Sequence, residues 1–185
     1  MLALVSAIVL LSLASPPTAA QTGKVIVVTD FANISVDSGL LPSAKLSDVL
    51  RTLLQQRLPA PSRVISGDSV RATMRAQGFT TNDLIYPSRV AAVAQALGAD
   101  WVVTGTWTQL RFIGHGTAED PGAPSIRQGD AFAVADVEIT VMEASTRRRL
   151  LEDRFSGRSP GGDLGSLFIA ATEALRFAAA RIARL

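Results

Sequence analysis

Apolar residues recur along this chain with two spacings. Leu46, Val49, Leu50, Leu53, Leu54 and Leu58 return every three or four residues, one stripe of a helix that Ser43 caps and that Pro59 and Pro61 stop. A second helix starts from Ser66 or Asp68 and closes at Gly78, and a third starts at Pro87 and closes at Gly98. Its inner positions are Val90, Val93, Ala94 and Leu97. A last helix follows residues 160–164, with Leu164, Leu167, Phe168, Ala171, Leu175, Ala178, Ala179 and Ile182 predicted on its apolar face.

Period-two and continuous apolar runs mark strands. Residues 24–31 (KVIVVTDF) and 101–112 read as buried strands, and Arg63 to Ile65 as a short one. From Ala131 to Met142 the chain alternates strictly. Ala133, Ala135, Val137, Ile139 and Val141 fall on one face; Asp136, Glu138 and Thr140 fall on the other. Residues 149–157 return as an antiparallel partner, while 32–42, 79–86 and the Gly/Pro-rich 113–130 read as connections. The predicted fold is an α/β (α+β) sandwich: a mixed sheet with an antiparallel C-terminal hairpin, in the order β-α-β-α-α-β-β-β-α.

Composition changes this picture in three ways. Residues 2–13 are a short apolar run, followed by Pro16, Pro17 and the small residues Thr18, Ala19 and Ala20, so residues 1–20 read as a signal peptide cleaved near Ala20. That predicts a single periplasmic domain over 21–185. The chain has no cysteine, which excludes disulfides, thiol catalysis, thiolate metal sites and lipid carried on a cysteine. The formal net charge is +2 and the arginines are dispersed, so a nucleic-acid partner is not expected.

Candidate chemistry is sparse. His115 is the single histidine and lies between two glycines in the 113–130 segment, so neither a nucleophile–histidine site nor a multi-histidine metal site is expected. No cofactor and no metal are expected. Asp30 ends the first strand, where α/β proteins often place ligands, but it can equally cap a turn. Asp100 can fix a helix–strand turn, and Asp136 and Glu138 can face water. The segment GRSPGG (157–162) resembles a phosphate loop, but Asp163 stands where the lysine would be and reads better as an N-cap. Arg147, Arg148 and Arg149 form the one basic cluster. It suits an acidic partner, an anionic membrane surface in peripheral contact, or plain solvation.

Three stretches together resemble a known group: VIVVTDF (25–31), LGADWVVTGTWTQL (97–110) and VEITVMEASTRRRLLEDRFSG (137–157). The group is the envelope α/β fold shared by the curli secretion channel CsgG, the TolB N-terminal domain and LpoB, an activator of penicillin-binding proteins. The resemblance implies a non-enzymatic accessory or adaptor domain that binds another cell-envelope protein. It departs at one turn: residues 144–147 read Ala-Ser-Thr-Arg where the group has a VDxxTG-like pattern. The polar 113–130 segment lacks the alternation of a barrel strand, so a pore is not expected. The expected partner-binding residues are His115, Arg127, Arg147, Arg148 and Arg149. The alternatives are a small-ligand site at Asp30, Asn33 and Trp107, or a subunit of an outer-membrane secretion assembly. Oligomeric state is left open.

Overall fold

The computed structural model describes residues 23–35, 40–113 and 131–185. The expected signal peptide, His115 and Arg127 lie outside them.

One mixed sheet organises the chain. Strand β1 (Val25–Val28) runs parallel between β3 (Arg63–Val64) and β4 (Trp101–Ile113). A two-residue strand, β2 (Ala32–Asn33), pairs in parallel further along β4, opposite Thr106 and Trp107. β4 then pairs antiparallel with β5 (Phe132–Glu143), and β5 with β6 (Arg149–Pro160). The element order is the expected one with β2 added. A two-residue strand has no periodicity to detect, which is why 32–42 reads as a connection.

Helices lie on both faces. Helices α1 (Ser43–Arg57) and α4 (Leu164–Ile182) pack on one face. Their Leu46, Leu50, Leu54, Leu167, Leu175 and Ile182 meet Ile26, Val28, Val103, Trp107, Val137 and Ile139. Helices α2 (Gly67–Ala76) and α3 (Pro87–Leu97) cover Val27, Val102 and Met142 on the other. The parity of each strand decides which core its side chains enter. On β5 the expected apolar face, from Ala133 to Val141, is fully buried under α4.

α4 can lie close to the sheet because its inner face is mostly alanine: Ala170, Ala171, Ala174, Ala178 and Ala179 are all inaccessible. Gly157 on β6 completes this fit, since a β-carbon there would collide with the backbone of Ala170 and Ala174. Leu164 and Phe168 do not share that face as expected. They are 52% and 38% exposed, and Ala170 and Ala174 take the inner positions.

The ends of the elements follow local chemistry. Gly98 closes α3 in the left-handed region at φ 59°, and Asp163 caps α4 by accepting the Ser166 N–H at 2.7 Å. Hydrogen bonds from the Ser166 N–H and hydroxyl hold the Asp163 carboxyl below its ordinary value. Ser66 caps α2. Ser43 does not cap α1. Pro42 holds that position, and Ser47 instead links the helix to β1 by accepting the Phe31 N–H at 3.0 Å. Residues Thr81–Ile85 form a 3-10 turn where a plain connection was expected, closed by a capping box between Thr80 and Asp83. Asp100, expected to fix the helix–strand turn, instead ties that turn to β1: its Oδ2 accepts the Val25 N–H at 2.7 Å.

Candidate functional site

Where the α2–α3 layer gives way to the open part of the sheet lies a cleft of ≈ 240 Å³. Thr29 and Asp30, just beyond β1, form one end. Leu84, Ile85 and Val90 form a wall. Thr104 and Thr106 from β4, with Glu138, Thr140 and Met142 from β5, form the floor, and Arg149 closes the far side. Of these floor residues, Glu138 and Thr140 were legible as polar positions of an alternating strand, but without the sheet order nothing placed them beside Asp30.

Asp30 is not a turn cap. Its Oδ1 lies 3.1 Å from Arg51 and 3.2 Å from Arg71, and the residue is largely shielded. The Arg51 guanidinium is buried, donates from Nε and Nη2 to the Val28 carbonyl, and also bonds Asp48. Arg71 continues the network to Asp68, whose carboxyl it holds below the ordinary value by a hydrogen bond. Five charged side chains, Asp30 just beyond β1 and four from α1 and α2, thus tie together the carboxyl end of β1.

The other members of the ligand alternative do not converge on the cleft. Trp107 is fully buried on the opposite side of the sheet, beside Phe31 at a ring separation of 6.2 Å. Its position on β4 shares parity with Trp101 and Val103, so it belongs to the α1–α4 core. Its indole N–H has no hydrogen-bond partner among the described residues. Asn33 accepts from the Ser35 N–H and hydroxyl. Asp136 does not simply face water: it is 7% exposed and pairs with Arg154 at 2.6 Å.

The basic cluster sits on the β5–β6 turn, at the rim of the cleft. Glu143 shapes the turn. Its backbone N–H donates to the Arg148 carbonyl, and its carboxylate accepts from the Thr146 hydroxyl and lies 3.9 Å from Arg148. Arg147 adopts φ 57°, a left-handed conformation that favours glycine. Arg148 is strongly exposed. Arg149 pairs with Glu152 at 2.7 Å while lining the cleft. Among the described residues no group of histidines and carboxylates is arranged to hold a metal ion, and no helix is long and apolar enough to cross a membrane.

No family model matches the chain, and no curated protein matches it. Solved structures do. The chain is similar to the lipoprotein GNA1162 from Neisseria meningitidis, with 18% identity over 88% of this chain and 99% of that one, at a TM-score of 0.57. It is similar to the hypothetical protein CT253 from Chlamydia trachomatis, with 13% identity over 87% and 96%, at 0.56. It is also similar to E. coli LpoB, with 16% identity over 75% and 58%, at 0.53. The fold is therefore LpoB-like. At these identities the likeness concerns the fold, and neither CsgG nor a TolB domain is among these structures.

Proposed function

We propose that the chain is a non-catalytic, periplasmic accessory domain that docks on another cell-envelope protein through the turn bearing Arg147, Arg148 and Arg149. The observation that carries this reading is the backbone of Arg147. A left-handed conformation costs a non-glycine residue about 1–2 kcal/mol. The resemblance places glycine at this point of the turn, yet this chain holds an arginine there at φ 57°. Strain retained at one exposed position points to the side chain as what matters.

Two further observations support it. The fold is shared with a lipoprotein and with LpoB. Asp30 and Asp136, the carboxylates most plausible as acid or base, are each held by arginine.

The test is recovery of partners by crosslinking in native envelopes, with the mature chain and its Arg147→Ala/Arg148→Ala/Arg149→Ala variant compared. The reading expects one envelope protein recovered by the mature chain and lost from the variant at unchanged melting temperature. Equal recovery by both would remove the turn from the interface.

A further inference from the structure

Beyond the cleft, the outer face of β4, β5 and β6 carries no described helix, and its residues fall into rows across the sheet. Arg111, Val134 and Arg158 form one row. Gln109, Asp136 and Ser156 form the next, and Thr106, Glu138 and Arg154 the one after. Charge is settled in part of this face: Arg154 pairs with Asp136, and Arg149 with Glu152. It is not settled in the first row. The guanidiniums of Arg111 and Arg158 are exposed and have no carboxylate partner among the described residues. That of Arg158 lies over the Phe132 ring at 5.9 Å, which leaves its donors free.

The two arginines flank one buried residue, Val134. Adjacent strands are about 4.8 Å apart, so their backbones stand roughly 10 Å apart across β5, and both long side chains can converge on a single anion on the solvent side of the row. We infer that this row is a docking site for a carboxylate-bearing segment of a partner protein, with Arg111 and Arg158 as its two anchors. The inference rests on the accessory-domain reading and gives that partner a chemistry. Its surface carries acidic side chains opposite the row, and the contact extends along the same face toward Arg149 and the cleft. The same face favours a protein over a membrane. Exposed Glu138 lies two rows away and Glu152 stands on the neighbouring strand, where a flat anionic lipid surface would meet repulsion. A protein segment can set its charges in register with both signs.

The test uses the mature chain and a fluorescein-labelled octapeptide of alternating Glu and Ser, read by anisotropy at low salt. The expected result is saturable binding that weakens with added salt and falls about tenfold or more in Arg111→Glu/Arg158→Glu. The Arg147→Ala/Arg148→Ala/Arg149→Ala variant keeps most of that binding. If the charge-reversed chain does not fold, as judged by its thermal transition, Arg111→Gln/Arg158→Gln replaces it. Absent binding, or equal binding by the reversed variant, overturns the inference. So does binding to phosphatidylglycerol vesicles, but not to the peptide, that is lost in the charge-reversed variant. Failure of the accessory reading looks different: no envelope protein is then recovered by the mature chain, whatever the peptide does.

Discussion

The Arg51 guanidinium lies 3.1 Å from the Asp30 carboxylate while two of its nitrogens donate to the Val28 carbonyl. This pair makes Asp30 a structural residue. Removing one partner leaves the other charge buried without compensation, which costs roughly 3–5 kcal/mol in full burial. Arg51 retains Asp48, and Asp30 is partly accessible, so Asp30→Ala is expected to destabilise by roughly 2–3 kcal/mol, below that range. Urea unfolding checks it. A change near zero would return Asp30 to the list of functional residues.

Arg147 gives a prediction of opposite sign. Glycine adopts φ 57° without steric cost, whereas arginine does not. Arg147→Gly is therefore expected to raise stability by about 1 kcal/mol, the strain less glycine's greater unfolded-state entropy. It should also weaken partner recovery. Chemical denaturation and crosslinking on the same sample read the two effects, and a destabilised variant would mean the turn is not strained at this residue.

Acid sensitivity follows from three carboxylates near the surface. Asp68, Asp83 and Asp163 all have folded-state values below the ordinary 3.8. Arg71 is the main cause for the first, and N–H bonds from Thr80 and Ser166 for the others. Depressed values mean that the stability they contribute is complete above the unfolded value and is lost as pH falls through the folded ones. The melting temperatures of the native chain and Asp163→Ala should thus differ at pH 7 and converge below about pH 3.8. A constant gap across that window would contradict the capping account.

The β6 edge is closed by side chains. The carboxylate of Glu173, on α4, accepts the Arg158 backbone N–H at 2.8 Å, Asp153 accepts that of Arg154, and Pro160 has none to offer. Such devices keep an exposed edge from pairing with another chain. Glu173→Ala should increase self-association at high concentration, seen by light scattering. A strictly unchanged mass distribution would show that the cap is dispensable.

Much of this architecture is written in local patterns. The alternation from Ala133 to Val141, the glycine at 98 and the aspartate at 163 each have a local physical cause, and each stands where that cause puts it. Leu164 and Phe168 were misplaced because a helical stripe fixes angle but not depth. Only the close approach enabled by Gly157 shows that alanines line the seam. Trp107 was misplaced for another reason. Its strand parity with Trp101 and Val103 was available, and a tryptophan on a strand looks like a ligand contact until parity is applied. The partners of Asp30 were not legible, since Arg51 and Arg71 lie 21 and 41 positions away and meet it only through packing. The open face of β4, β5 and β6 needed the sheet order before Arg111 and Arg158 could share a row. His115 and Arg127 fall outside the described residues and keep their standing as expectations.

The most direct test of docking is site-specific photocrosslinking in intact envelopes. A photoreactive residue is placed singly at Arg148, at Ser156 on the open sheet face, and at Phe177 on the outer side of α4. The account predicts one common protein adduct from positions 148 and 156 and none from 177. Adducts from 177 alone, or none from 148 and 156 while the chain is folded and exported, would contradict it.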